Sequence, residues 1–180
     1  YDVPLKINAP VILDIGANIG AFTVWASHRW LNSWIYAYEP IRSNYELLQK
    51  NIRETSVETL VTLINKAVGW SNSGIMRMRL GKNNCGEASF YDLGEQLDVF
   101  EDVDSIQASE LPKANIVKID TEGCEVPILR ELDLSVAKAV MLEFHRMEDR
   151  RLIDEIMEDF TLLTCSMNRI DRGVLKYVRV

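Results

Sequence analysis

The stretch Val11-Ile-Leu-Asp-Ile-Gly-Ala-Asn-Ile-Gly-Ala-Phe-Thr-Val-Trp25 joins a short apolar run to a glycine-containing turn and the beginning of a helix. The run from Val11 to Ile15 has one polar residue, which is typical of a strand buried on both faces of a parallel sheet. Gly16 and Gly20 remove side-chain bulk from the turn, and Asn18 is a residue type that tolerates positive φ. A helix that follows such a turn points free backbone N–H groups towards it. The stretch therefore predicts a turn whose backbone a ligand can approach closely.

The spacing of the glycines separates two classes of ligand. The dinucleotide fingerprint is G-x-G-x-x-G, but this chain has Asn18 where the middle glycine would stand. Because a pyrophosphate needs that glycine for close approach, the turn disfavours NAD and FAD and favours a smaller, cationic ligand. The second apolar run, Trp34 to Glu39, ends in a carboxylate about 20 residues further on, where an acidic residue accepts hydrogen bonds from ribose hydroxyls. Glu39 thus indicates an adenosine-type ligand, and an ordinary turn followed by a surface glutamate is the alternative.

Five motifs in the same order resemble those of the FkbM family of S-adenosylmethionine-dependent methyltransferases. They are Asp14-Ile-Gly-Ala-Asn-Ile-Gly20, Tyr38-Glu-Pro40, Asn65-Lys-Ala-Val-Gly69, Lys118-Ile-Asp-Thr-Glu-Gly123 with Glu125, and Leu142-Glu-Phe-His145. The sequence departs from the family at Thr121, where an apolar residue is usual, and at Cys124, where a small one is usual. Neither departure alters the carboxylates. The resemblance covers most of the chain and implies S-adenosylmethionine as cofactor.

Strands and helices are predicted to alternate along the chain, which is typical of a parallel sheet with right-handed crossovers. The predicted helices are Ala21–Trp30, Asn44–Glu54 and Asp149–Asp159, and the predicted parallel strands are Val11–Ile15, Trp34–Glu39, Leu60–Asn65, Val117–Asp120 and Ala139–Phe144. With the resemblance, this pattern predicts an α/β fold: a doubly wound, mostly parallel, seven-stranded sheet of the class I, Rossmann-like type.

Two hairpins complete the predicted fold. One joins Ala67–Trp70 to Gly74–Leu80, and the other joins Thr161–Ser166 to Val174–Val180 around Asp171-Arg-Gly173. A class I methyltransferase typically has an antiparallel last strand, whereas a plain dinucleotide-binding fold continues its strand-helix-strand pattern. The C-terminal hairpin therefore favours the methyltransferase.

Length and composition limit what else the chain can be. A chain of 180 residues with 47% apolar content is predicted to be a single domain over residues 1–180, truncated at its N-terminus because Tyr1 is not a methionine. It has no apolar run of about 20 residues and no leader pattern, so neither a membrane span nor secretion is expected. The three cysteines include no C-x-x-C pair, which favours a reducing cytoplasm over a disulfide framework or a zinc site.

The charge of the chain disfavours nucleic acid as a partner. The net charge is −7, and residues 83–112 contain eight acidic residues without a lysine or arginine. Such a segment repels a phosphate backbone, so the expected partner is a neutral or cationic small molecule. A solvated acidic surface is the alternative explanation.

Resemblance and position at the ends of strands assign the candidate cofactor-binding residues. These residues are expected to meet in the crevice between the first and fourth parallel strands, where open α/β sheets bind ligands. We expect Asp14 with the backbone of Gly16, Asn18 and Gly20 to hold the amino-acid part of the cofactor, Glu39 the ribose, and Asn65, Lys66 and Ala67 the adenine, with Asp120 beside them.

The candidate catalytic residues follow the fourth and fifth parallel strands. An acceptor hydroxyl is a poor nucleophile, so a general base or a metal that lowers its pKa would assist methyl transfer. Asp120, Glu122 and His145 are predicted as catalytic, Glu143 is a further candidate, and His145 has the intrinsic pKa best suited to a base. Its alternative is a packing histidine at a strand end. Carboxylates at one edge could also bind Mg²⁺, but we predict no protein-bound metal.

The sequence thus predicts an S-adenosylmethionine-dependent methyltransferase acting on a hydroxyl of a sugar or glycosylated small metabolite. Trp70 and Tyr91 are candidate sugar-facing aromatics, whereas His28 is expected to be structural. A nucleotide-cofactor oxidoreductase and a non-catalytic cofactor-binding core are the alternatives.

Overall fold

The computed structural model describes residues 2–57, 60–69, 74–80, 99–167 and 169–179. The strands are β1 (Val11–Ile15), β2 (Trp34–Tyr38), β3 (Val61–Ile64), β4 (Ala67–Gly69), β5 (Ile75–Leu80), β6 (Val99–Gln107), β7 (Ile116–Ile119), β8 (Ala139–Phe144), β9 (Thr161–Met167) and β10 (Gly173–Val178). The helices are α1 (Ala21–Arg29), α2 (Arg42–Glu54), α3 (Glu125–Glu131) and α4 (Met147–Ile156).

The main sheet has seven strands in the order β3-β2-β1-β7-β8-β10-β9. The first five strands are mutually parallel, and β10 runs antiparallel to both of its neighbours, β8 and β9. This arrangement confirms the predicted doubly wound sheet with an antiparallel C-terminal hairpin. Because β1 lies beside β7, the strand order reverses at this pair, and the crevice beyond their carboxyl ends is the expected ligand position.

The predicted hairpin between Ala67–Trp70 and Gly74–Leu80 is wrong. Strand β4 pairs in parallel with β6, and β5 pairs antiparallel with the other edge of β6, so β6 separates the two segments. Adjacent turn residues favoured a local connection, but the pairing partner of β4 lies 38 positions further along the chain, as in Ala67 with Ser105. Trp70, Tyr91 and residues 83–98 of the acidic segment lie outside the described residues.

Apolar side chains cover both faces of the central strands. Successive residues of β1 point to opposite faces, so Ile12 joins one core cluster, which contains Ala26 of α1, and Leu13 joins another, which contains Ile128 of α3 and Ile153 of α4. Helices on both faces explain why the strands read as continuous apolar runs. Charged side chains interrupt these runs at Asp14 in β1, Lys118 in β7 and Glu143 in β8.

None of the helices in the described ranges is long and apolar enough to cross a membrane. Cys124 is buried and Cys165 is exposed, and both are free thiols. The cytoplasmic location and the single-domain organisation stay predictions.

Candidate active site

The turn after β1 is held by the neighbouring strands. The backbone N–H groups of Gly16 and Ala17 both donate to the carbonyl of Tyr38, at 3.0 and 2.9 Å. Gly16 has φ +77°, and a Cβ added there would overlap the carbonyl oxygen of Asp120. Gly16 is therefore needed for the close approach of two backbone segments and not only for that of a ligand. Asn18 has φ +52°, as its residue type suggested.

A cavity of about 290 Å³ lies beyond the carboxyl ends of β1, β2, β7 and β8. Seven of the predicted site residues line it: Gly16, Asn18, Glu39, Lys66, Ala67, Asp120 and Glu122. Glu143 and Lys118 line it as well. The other predicted residues, Asp14, Gly20, Asn65 and His145, are not among its lining residues.

Glu39 is a buried carboxylate that holds the turn after β1 by hydrogen bonds. Its Oε2 accepts a hydrogen bond from the backbone N–H of Asn18 at 2.8 Å, and its Oε1 accepts one from the N–H of Ile41 at 3.0 Å. Burial raises the pKa of Glu39, and these hydrogen bonds oppose the rise. The residue thus joins the β1–α1 turn to the start of α2 and still borders the cavity, where a ribose would meet it.

Asn65 acts on the same region from behind the cavity wall. Its side-chain amide donates to the carbonyls of Glu39 and Pro40, both at 2.9 Å. These contacts fix the connection between β2 and α2. The residues that follow it, Lys66 and Ala67, reach the cavity itself.

Lys118 and Asp14 form a buried ion pair beneath the turn. They lie opposite one another in the parallel pairing of β7 with β1, and Lys118 Nζ is 3.2 Å from Asp14 Oδ1. The second oxygen of Asp14 accepts a hydrogen bond from the Thr23 hydroxyl at 2.5 Å. Burial lowers the pKa of Lys118, but Asp14 and Asp120 outweigh it and raise the pKa. Asp14 therefore supports the turn instead of lining the cavity.

Two carboxyl groups meet at the opposite side of the cavity. Glu143 is half-buried in β8, and burial raises its pKa, as does the adjacent charge of Asp120 and a hydrogen bond between the two. Two charged carboxylates this close repel one another, so the pair keeps a proton to a higher pH than an ordinary glutamate does. Once that proton is lost, Glu143 can accept a proton from a bound hydroxyl.

His145 is enclosed by carboxylates behind the wall. Its Nε2 lies 3.0 Å from Glu122 Oε2, and its Nδ1 lies 3.5 Å from Glu125 Oε1. Burial lowers the pKa of His145, but the two carboxylates outweigh it and raise the pKa to about 10. A histidine that already carries a proton at neutral pH cannot accept another, so its predicted role as a base lacks support here.

Glu125 shapes the turn between β7 and α3. Its carboxylate accepts hydrogen bonds from the backbone N–H groups of Thr121 and Gly123, at 3.0 and 3.1 Å. Between them, Glu122 has φ +53°, a conformation that costs free energy in a residue other than glycine. The turn places the Glu122 side chain at the cavity, with its carboxylate against His145.

Sequence reasoning missed the role of Lys118 and the apolar part of the cavity wall. The sequence signal that could have revealed the role of Lys118 was a charged residue in an apolar strand, together with Asp14 in another apolar strand. Ile41, Val68 and Met78 supply apolar wall. Ile41 and Met78 lie outside every quoted motif, and Val68, although inside the Asn65–Gly69 motif, had no predicted role. Among the residues that the structure describes, no three His, Cys, Asp or Glu residues are grouped to hold a metal ion.

The fold and this crevice define a Rossmann-like class I methyltransferase. The crystal structure of methyltransferase FkbM from Methylobacillus flagellatus KT has the same fold: it superimposes with a TM-score of 0.66 over 97% of this chain and 45% of its own, at 16% identity. The methyltransferase FkbM domain model matches residues 14–163. The chain belongs to this family, and its membership implies S-adenosylmethionine as the cofactor.

Two curated relatives are similar in sequence. "Methyltransferase 1" of Beauveria bassiana is 25% identical over 157 residues, covering 74% of this chain and 62% of the relative. "Hexuronic acid methyltransferase AglP" of Haloferax volcanii is 24% identical over 160 residues, covering 86% of this chain and 64% of the relative. The chain thus spans about three fifths of the length of these proteins.

The cavity has the chemistry that S-adenosylmethionine requires. Glu39 offers a carboxylate for ribose hydroxyls, Ile41 and Met78 offer apolar surface for an adenine ring, and Asp120 offers a negative charge for a sulfonium. A cationic cofactor is favoured by the acidic side of the cavity.

Proposed function

We propose that this chain transfers a methyl group from S-adenosylmethionine to a hydroxyl of a sugar or a glycosylated small metabolite. The observation that carries the proposal is the pair of carboxyl groups, Asp120 and Glu143, on the wall of the same cavity as Glu39. One end of the cavity suits an adenosine, and the other offers a proton acceptor.

The cofactor would be held by the residues that line the first part of the cavity. Glu39 would accept hydrogen bonds from the ribose, the backbone of Gly16 and Asn18 would face the amino-acid part, and Lys66 and Ala67 would border the adenine. Asp14, Gly20 and Asn65 would act through these residues, because they support the turn and the β2–α2 connection from behind the wall.

When bound, S-adenosylmethionine supplies an electrophilic methyl group on a sulfonium. The protein then has to place an acceptor oxygen in line with that methyl group and the sulfur. As the oxygen–carbon bond forms and the carbon–sulfur bond breaks, the hydroxyl proton would pass to Glu143. Glu122 would hydrogen-bond a further acceptor hydroxyl, and His145 would position Glu122. General-base assistance of this kind is typically worth about 10²–10⁴ in rate.

The carbohydrate acceptor is supported by two independent features. The relative from Haloferax volcanii has the name of a hexuronic acid methyltransferase. The candidate acceptor side of the cavity contains Asp120, Glu122 and Glu143, and carboxylates are good hydrogen-bond acceptors for the hydroxyls of a sugar. The same negative charges would repel the phosphates of a nucleic acid and also the carboxylate of a uronic acid, so they favour a neutral sugar as the acceptor.

Calorimetric titration with S-adenosylhomocysteine tests the cofactor half of the proposal. Wild-type protein should bind the ligand, and Glu39→Gln should weaken binding by about tenfold or more, since an amide cannot accept from both backbone N–H groups and a ribose. Glu46→Gln in the exposed pair with Arg42 is the matched control and should bind as wild type does. Binding of NAD in preference to S-adenosylhomocysteine would refute the methyltransferase.

A methyl-transfer screen tests the acceptor half. Sugars, uronic acids and a short RNA should be compared with S-adenosylmethionine as donor. Methylation of a sugar hydroxyl supports the proposal, and methylation of the RNA alone contradicts it. Tight binding of S-adenosylhomocysteine without turnover on any acceptor would favour a non-catalytic cofactor-binding core.

A further inference from the structure

Lys118 occupies the centre of the sheet at the point where the strand order reverses. It lies in β7, is only 3% exposed, and stands opposite Asp14 of β1 in the parallel pairing. A lysine buried to this degree is rare unless its charge is compensated.

The ammonium group contacts three different parts of the site. It donates to the carbonyl of Gly16 at 2.5 Å, and lies 3.2 Å from Asp14 Oδ1 and 3.6 Å from Asp120 Oδ2. Asp14 alone would neutralise the charge. The contact with Gly16 reaches the turn assigned to the cofactor, and the contact with Asp120 reaches the carboxyl pair assigned to the acceptor.

We propose that Lys118 is a positioning residue whose ammonium joins the Gly16 turn to the Asp120 carboxylate and so fixes the two halves of the cavity relative to each other. This inference rests on the proposed function, because it concerns the alignment of cofactor and acceptor.

The same contact distinguishes the two members of the carboxyl pair. The ammonium lies beside Asp120, whereas burial and the adjacent charge of Asp120 raise the pKa of Glu143. The other charged groups acting here are Asp14 from β1 and Glu39 at the end of β2, which face Lys118, and Glu122 and His145, which face Glu143. Lys118 is the cation that distinguishes Asp120 from Glu143.

The test compares two double variants by calorimetry. Lys118→Met combined with Asp14→Asn removes the ammonium without leaving Asp14 as an unpaired buried charge, so the variant is designed to fold even where Lys118→Met alone does not. The matched control is Lys113→Met with Asp133→Asn, which removes an exposed lysine–aspartate pair of 2.8 Å just before β7. Thermal unfolding establishes that each variant is folded.

The readout is the affinity for S-adenosylmethionine relative to S-adenosylhomocysteine, measured at neutral pH. The two ligands differ in the sulfonium charge, so the ratio reports how well a negative charge is held beside the sulfonium and needs no acceptor. Without the ammonium, the Asp120 carboxylate should no longer be held in place beside the Gly16 turn. The preference for S-adenosylmethionine should therefore fall by about fivefold or more, while the Lys113 control keeps the wild-type ratio.

A Lys118 double variant that is folded and keeps the wild-type affinity ratio would overturn the inference, because the ammonium would then serve only to neutralise Asp14. A change in thermal stability alone, with an unchanged ratio, overturns it for the same reason. Wild-type protein that fails to bind S-adenosylhomocysteine would refute the proposed function itself, and the inference with it. The two failures are distinguishable because the first is seen only in the variant.

Discussion

The Nε2 atom of His145 lies 3.0 Å from the carboxylate of Glu122, so the ring is held as an imidazolium. Although burial opposes it, the pKa of His145 is raised to about 10 by Glu122 and Glu125, whereas an unfolded histidine has a pKa of about 6.5. The folded chain therefore binds this proton more tightly than the unfolded chain. The resulting stabilisation is fully present below about pH 6.5 and is lost as the pH rises through about 10.

We expect His145→Gln to lower the free energy of unfolding at about pH 6 and to have a progressively smaller effect towards about pH 10. Urea unfolding of wild type and variant at several pH values measures the difference. The other histidine, His28, is exposed on α1, and His28→Gln is the matched control with little effect. A difference between wild type and His145→Gln that does not change with pH would contradict the ion pairing.

Gly16→Ala should destabilise the turn that follows β1. The added methyl group would overlap the carbonyl oxygen of Asp120, and the backbone has φ +77°. We expect a loss of about 3 kcal/mol or more in unfolding free energy, together with loss of S-adenosylhomocysteine binding. Gly74→Ala is the control, because a Cβ there meets nothing within 4 Å. Equal stability of the two variants would show that the turn has room for a side chain.

Asn65→Ala should weaken cofactor binding even though Asn65 does not line the cavity. Two carbonyls, those of Glu39 and Pro40, would lose their donor, at a cost of about 1–3 kcal/mol. Calorimetry with S-adenosylhomocysteine and a thermal unfolding scan measure the two effects. Exposed Asn8→Ala is the control. Unchanged affinity in Asn65→Ala would mean that the β2–α2 connection keeps its position without the amide.

Glu143→Gln should lower the rate of methyl transfer by about 10²-fold or more while leaving the affinity for S-adenosylhomocysteine close to that of wild type. In wild type, activity should increase with pH as Glu143 loses its proton, with a midpoint above the 4.5 of an ordinary glutamate, because burial and Asp120 raise the pKa. Single-turnover rates across pH provide the test. Exposed Glu148→Gln is the control. If Glu143→Gln kept the wild-type kinetics, a group other than Glu143 would have to accept the proton of the acceptor hydroxyl.

The central sheet could be predicted from the sequence because its signals are local. Runs such as Val11–Ile15 are apolar on both faces, and the Gly16 turn indicates that a helix follows. The C-terminal hairpin was predicted from two apolar runs around a short polar turn. The observed ends of these strands lie within one or two residues of the predicted ends. The bounds of β8 agree fully with the prediction.

Strand β6 could not be predicted in the same way. Its sequence, Val-Phe-Glu-Asp-Val-Asp-Ser-Ile-Gln, contains three acidic residues, which obscure the alternation of a strand. Its pairing partners, β4 and β5, lie many residues earlier in the chain, and a pattern within one segment does not encode such pairing. The incorrect hairpin between Ala67–Trp70 and Gly74–Leu80 has the same origin.

Most residues of the site could be predicted from the sequence, but the role of each residue could be predicted less well. Glu39, Asp120 and Glu122 reach the cavity as expected, since they follow strand ends. The burial of Asp14 and the enclosure of His145 depend on which side chains stand opposite them in neighbouring strands and turns. Intrinsic pKa favoured His145 as the base, and the surrounding carboxylates reverse that argument.

Strand β10 lies inside the sheet between β8 and β9, although it is synthesised after both. During translation, β9 therefore emerges before the strand that attaches it to the sheet. Until β10 has been synthesised, the seven residues of β9 have no strand to pair with. A ribosome-bound chain ending before Gly173 would present this uncharged segment to other nascent chains. The sheet can therefore be completed only after β10 has been synthesised, and β9 joins it through a strand that follows it in the chain.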